Sequence, residues 1–140
     1  MNAHLRESLS VQPAWVRGLR GPELFAAGRG WDAIRVEAGI GLAAVRFLEA
    51  ADAPVGPVLH DRGNSRTYFL APPGTARRWR QERTRALGDG AWLVLVPPEW
   101  DGLLRWASGP CDGLLFTEVE DLVTALTAVG CSGSAQEVGR

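Results

Sequence analysis

Polar and apolar residues alternate along residues 31–37, with Asp32, Ile34 and Val36 on one side and Trp31, Ala33, Arg35 and Glu37 on the other. A period of two is that of a β-strand, and this run predicts the first one. The period then lengthens. Ile40, Ala44, Phe47, Leu48 and Ala51 fall at helical spacing, the stripe of a helix packed on a sheet, until Pro54 and Gly56 stop it. Residues 58–60 and 67–70 are short apolar or β-favouring runs. Asp61-Arg62-Gly63-Asn64-Ser65 between them holds the Gly and Asn of a tight reversal, so the pair predicts a hairpin.

Beyond the hairpin, Pro72-Pro73-Gly74-Thr75 makes a turn with Thr75 as N-cap, and a weaker stripe of Ala76, Trp79, Arg83 and Leu87 predicts a helix over residues 75–87. Residues 91–96 are the most apolar stretch and end at Pro97 and Pro98, which lack the N–H groups to continue a ladder. They predict a central strand. Residues 103–107 add a short strand. Thr117 and Glu120 have the spacing of a capping box, and Val119, Leu122, Val123, Leu126 and Val129 predict a last helix that Gly130 ends. Upstream, Trp15, Val16, Leu19, Leu24, Phe25 and Ala26 suit one or two short helices over residues 13–27, broken by Gly18, Gly21 and Pro22.

Together these elements predict an α+β fold with a ferredoxin-like or RRM-like βαββαβ core, one extra strand and terminal helices. Helices cover one face of such a sheet, so the other face is the natural place for a ligand or partner. Residues 13–130 read as a single domain between two tails, 1–12 and 131–140, expected to be mobile.

Composition limits the function classes. The chain of 140 residues is 46% hydrophobic and 22% charged, the balance of a globular domain. No apolar run approaches the roughly 18 residues of a membrane span, and the N-terminus lacks the apolar centre of a signal peptide. The expected location is the cytoplasm, with no membrane partner. Cys111 and Cys131 have neither CxxC spacing nor a disulfide framework, and they read as packed or incidental thiols. All 15 Lys and Arg positions are Arg, yet the net charge is only -1, so a nucleic-acid site would have to be a local patch.

Several short motifs, taken in order, resemble the N-terminal domain of bifunctional DNA primase/polymerases, the prim-pol branch of the archaeo-eukaryotic primases, and its short actinobacterial variety. The carriers are Gly30-Trp31-Asp32-Ala33-Ile34-Arg35-Val36, Gly56-Pro57-Val58, Thr67-Tyr68-Phe69-Leu70-Ala71-Pro72-Pro73-Gly74-Thr75, Gly88-Asp89-Gly90-Ala91, Val96-Pro97-Pro98 and Arg105-Trp106. The resemblance implies an RRM-like catalytic sheet on which two acids of one strand, a hairpin His and a third acid hold two metal ions. Here the pattern is degenerate: Asp32 stands at the first acid, Ile34 at the second, Arg66 where the His motif falls, and Asp89 near the third acid. The implied reading is a primase-polymerase scaffold without its chemistry, with no catalytic residue, no bound metal and no cofactor. Mg or Mn enters only if activity survives on displaced ligands such as Asp32, Glu37, His60 and Asp89.

Two candidate binding features remain. Arg77, Arg78, Arg80, Arg83 and Arg85, with Trp79 among them, offer phosphate contacts if they share a helix, or else form a solvated helix face. Arg66 joins them as a basic candidate, and Tyr68 and Trp92 would stack bases if they lie on the open sheet face. His60 and Asp61 are adjacent and could begin a metal site with Asp32 or Asp89, but without a cluster of ligands around them a turn histidine is the preferred reading. Single-stranded or duplex DNA is therefore the first expected partner. The alternative is a homodimeric or protein-interaction module without nucleic acid, consistent with near-neutral charge and six Trp.

Overall fold

A computed structural model describes residues 18–110 and 114–130. The expected tails, Cys111, Cys131, His4, Trp15 and Val16 lie outside the described residues. Seven strands and three helices follow in the order β1 (Glu23–Ala26), β2 (Asp32–Glu37), α1 (Ala38–Ala50), β3 (Val58–Asp61), β4 (Arg66–Ala71), α2 (Thr75–Arg78), β5 (Thr84–Leu87), β6 (Trp92–Leu95), β7 (Leu104–Ser108) and α3 (Val119–Ala128). The fold is α+β.

Five strands form one sheet in the order β5-β2-β4-β3-β7, and each neighbouring pair is antiparallel. Taking β2, β3, β4 and β5 as first to fourth, this is the 4-1-3-2 order of a ferredoxin-like sheet, with β7 added beside β3. Two expectations are corrected within that frame. Residues 91–96 are not a central strand of this sheet: β6 pairs only with β1, in a separate two-stranded ribbon. The short helices expected over residues 13–27 are likewise replaced, in the described part, by strand β1. Phe25 and Leu93 face inward, so the apolar run of β6 is accounted for by burial under the ribbon.

The helix expected over residues 75–87 is a single turn. It ends because Trp79 has an extended backbone (φ -75°, ψ 132°), and Arg83 then takes a left-handed φ of 65° that a helix cannot contain. The chain re-enters as β5, the strand that the core order requires. Trp79 stays buried at 9% exposure because its indole Nε1 donates to Thr84 Oγ1 at 2.7 Å. One short contact thus ties the helical turn to the strand that replaces the rest of the helix.

Helices α1 and α3 pack together on one sheet face. Ala44, Val45 and Leu48 of α1 and Leu122, Ala125 and Leu126 of α3 meet Ile34, Val36, Val58 and Phe69 in one core. Burying each Leu or Val there contributes about 1.5–3 kcal/mol. The helix starts where Glu37 accepts from the Ile40 N–H at 3.1 Å and ends before Asp52, which adopts φ 58°. The expected capping box of α3 does not form, because Thr117 Oγ1 accepts instead from the Gly56 N–H at 2.9 Å, across the fold.

The opposite face is not fully open. Phe25, Leu93 and Leu95 of the ribbon cover Ala33, Leu59, Tyr68, Leu70 and Trp106 in a second core. Trp106 is fixed by donation from Nε1 to the Val96 carbonyl at 2.8 Å. The ribbon's outer side carries Leu24 and Trp92, 58% and 59% exposed.

A side chain at Gly56 would overlap the carbonyl carbon of Phe116, a backbone atom that cannot swing away. Gly56→Ala is therefore expected to lower stability by about 2–3 kcal/mol in urea unfolding, with overpacking as the cause. A change below 0.5 kcal/mol, roughly the noise of surface substitutions, would refute that contact.

Candidate functional site

The face opposite the helices changes character along its strands. Where the ribbon covers it, β2 and β4 present Ala33, Leu70 and Tyr68. Two residues further along β2, the same face shows Arg35 and then Glu37. Arg35 lies directly between Arg85 of β5 and Tyr68 of β4, and the next row places Arg66 between Glu37 and Asp61.

Arg35, Glu37, Arg66 and Arg85 wall a cleft of about 330 Å³ together with Arg83 and the Asn64–Ser65 turn. Four arginines and one carboxylate line it, a formal excess of three positive charges. Asp61 does not neutralise the patch freely, since Oδ1 accepts from the Asn64 N–H at 3.1 Å and Oδ2 from the Asn64 amide at 2.9 Å. Glu37 is partly engaged too, by the Ile40 N–H. Arg83 donates to the Gly130 carbonyl at 3.2 Å, which pins that wall of the cleft to the end of α3. The guanidiniums of Arg35, Arg66 and Arg85 make no hydrogen bond or ion pair with the described residues.

Burial lowers the proton affinity of the half-buried Arg35, and the guanidiniums of Arg66 and Arg85 act in the same direction while Tyr68 opposes them. Arg35 nevertheless remains a cation at neutral pH. Like charges directly opposite on neighbouring strands destabilise a sheet, so the row is electrostatically strained until an anion enters. Guanidiniums recognise phosphate or carboxylate oxygens in bidentate fashion, which is the chemistry this arrangement can perform.

The five arginines expected to share a helix are divided by its loss. Arg77 and Arg78 sit on α2, where Arg77 lines a second cleft and Arg78 a third beside Glu118 and Glu120. Arg80 donates to the Trp79 carbonyl at 2.9 Å in the following loop. Only Arg83 and Arg85 reach the cleft described above, where they join Arg66 and a residue that sequence reasoning did not select, Arg35. Alternation placed Arg35 on a strand face, but the strand opposite it was then unassigned. Base stacking on Tyr68 is also corrected: the ring is 9% exposed beneath the ribbon. Trp92 is exposed, but on the ribbon rather than on the five-stranded sheet.

Asp32 and Asp89 border the second cleft, of about 520 Å³, with Gly28, Gly74 and Arg77. Asp32 is 2% exposed, and its Oδ2 accepts from the Gly74 N–H at 3.0 Å and the Ala76 N–H at 2.8 Å. Its carboxylate therefore anchors the turn into α2. Ile34, the residue at the second acidic position of the resemblance, is fully buried against the helices. Arg66, at the hairpin position, belongs to the arginine cleft on the opposite sheet face. Among the described residues no three His, Cys, Asp or Glu side chains come together to hold a metal, and His60 lies on β3 paired with Thr67 and Arg105. No helix among the described residues is long and apolar enough to cross a membrane.

Comparison with protein-family models, characterised proteins and solved structures finds no match to the chain. The primase-polymerase resemblance accordingly rests on the motifs quoted above.

Asp32→Ala is expected to cost about 1–3 kcal/mol in urea unfolding, because it leaves two backbone N–H groups in a half-buried turn without their charged acceptor. A loss under 1 kcal/mol would contradict the anchoring role. His60 gives a pH prediction. Burial lowers its proton affinity, Arg62 and Arg105 lower it further, and Asp61 opposes them. The unfolded chain takes up that proton first as pH falls through the ordinary imidazole value of about 6.5, so the contribution present above that value is lost below it. His60→Gln should therefore narrow the fall in Tm between pH 7.5 and pH 5.5; an unchanged fall would exclude His60 as its source.

Proposed function

We propose that the chain is a non-catalytic binding domain, on a primase-polymerase-like scaffold, that contacts the phosphates of single-stranded nucleic acid through the arginine cleft. The carrying observation is the convergence of Arg35, Arg66, Arg83 and Arg85 from three adjacent strand segments on one cleft. It supplies a local basic patch on a molecule whose net charge is -1. Support for an accessory rather than catalytic role comes from the other cleft, where Oδ2 of Asp32 is held by two backbone donors and Ile34 offers no ligand atom.

A single strand suits the cleft better than a duplex. Duplex readers usually place a helix or a strand pair in a groove. Here the cations lie in a recess at a sheet corner, beside the short edge strand β5. Phosphate contacts position a strand without reading its bases, so little sequence preference is expected. The second reading, pairing with another copy of the chain, draws on the exposed Leu24 and Trp92 of the ribbon.

The test is a titration of a labelled single-stranded oligonucleotide at two salt concentrations, with the solution mass of the protein recorded alongside. Arg35→Gln combined with Arg85→Gln should weaken binding at least about tenfold and reduce the salt slope by about 1.4. Arg77→Gln with Arg78→Gln should leave both nearly unchanged. Equal losses in the two double variants would remove the cleft from the account, and a dimeric wild type that binds no oligonucleotide would favour the second reading.

A further inference from the structure

We infer that the arginine cleft takes a compact diphosphate group, free or carried by a nucleotide, which competes with the strand for the same guanidiniums. This rests on the reading of the cleft as a phosphate site and deepens it by naming the ligand class.

The first argument is charge density. Arg35 faces Arg85 directly across the β2–β5 pair. Arg66 is the diagonal neighbour of Arg35 across β2–β4. The Cβ atoms of directly opposed and diagonal strand residues lie about 5 and 7–8 Å apart, so the three side chains rise from one small area of the sheet and line the same cleft. A nucleic-acid strand brings one negative charge per nucleotide, and successive phosphates must run out of a recess of about 330 Å³. A single phosphomonoester already carries about -1.5 to -2 at pH 7, and a diphosphate concentrates still more charge in the same volume.

The second argument is donor geometry. A guanidinium presents its N–H groups in a planar fork that engages two oxygens at once. The oxygens of a diphosphate can serve more than one fork simultaneously, whereas a diester leaves two unesterified oxygens per phosphorus. Arg35, Arg66 and Arg85 have no hydrogen-bond acceptor among the described residues, so their forks are available. The fourth cation, Arg83, is fixed by the Gly130 carbonyl and forms a preset wall. Glu37, the only carboxylate lining the cleft, is partly engaged by the start of α1.

The inference is tested by calorimetric titration of the full chain with inorganic pyrophosphate and orthophosphate at fixed ionic strength, followed by displacement of the labelled oligonucleotide. Pyrophosphate should bind once per chain, about tenfold or more tighter than orthophosphate, and should release the oligonucleotide. Arg35→Gln and, separately, Arg66→Gln should each weaken it about tenfold, while Arg77→Gln should not; two variants guard against one failing to fold. A nucleoside diphosphate arm separates the sources: affinity equal to pyrophosphate assigns a free diphosphate, and tighter binding assigns a nucleotide.

Oligonucleotide binding through Arg35 that pyrophosphate neither matches nor displaces would overturn this inference and leave the strand reading standing. Pyrophosphate binding through Arg35 without any strand binding would overturn the strand reading alone. Absence of both from the folded wild type would overturn both.

Discussion

Burial of β2 and β4 on both faces is the constraint from which the rest of the molecule follows. An antiparallel sheet commonly leaves one face to water. Here Ile34, Val36 and Phe69 pack under the helices while Ala33, Tyr68 and Leu70 pack under the β1–β6 ribbon, so the two cores share the same two strands. A two-stranded ribbon is marginal by itself, and its inward Phe25, Leu93 and Leu95 need that second face as much as the face needs cover. The ribbon does not reach the far end of the strands. Where its cover stops, β2 and β4 turn to Arg35, Glu37 and Arg66, and a charged corner on that face begins.

This corner opposes the fold that carries it. Like charges on directly opposed strand residues repel, less as salt screens them. The Arg35–Arg85 juxtaposition therefore lowers stability, and none of the described carboxylates forms an ion pair that relieves it. Local sequence changes could remove the repulsion without disturbing either core, since Arg85 and Arg66 are exposed. Repulsion concentrated at one recess, on a chain otherwise near neutrality, is what the proposed anion site rests on.

Local periodicity made much of this fold legible and long-range pairing did not. The alternation over residues 31–37 gave the strand and the division of its two faces, and long-range packing decides that Ile34 and Val36 lie under the helices. The stripe from Ile40 to Ala51 matched α1, and the Asp61–Asn64 turn matched the hairpin through its side-chain bonds. Residues 75–96 were misread for one physical reason: four-residue strands are too short to show a period. β5 is such a strand, and its Leu87 and the buried Trp79 before it mimic a helical stripe. Arg83, whose left-handed backbone redirects the chain, is a residue type with no special tendency to do so. β6 is equally short, and its apolar character reflects burial that a ribbon supplies as well as a sheet centre does. The arginine cleft could not be read before β5 was placed, because Arg35 acquires its meaning only when Arg85 lies opposite it.

The two ends of β2 now carry different commitments. At its start, Asp32 gives one carboxylate oxygen, Oδ2, to the turn at Gly74 and Ala76, and Ile34, in the helix-side core, has no atom that could ligate a metal. At its end, Arg35 keeps its guanidinium unengaged among like charges. The acid holds a turn, and the proposed recognition falls to the base, on one strand six residues long. Because the two lie on opposite sheet faces by parity, a ligand in the arginine cleft cannot be touched by Asp32. An anion held there would meet four arginines, the Asn64–Ser65 turn and the carboxylate of Glu37, whose Oε1 accepts from the Ile40 N–H.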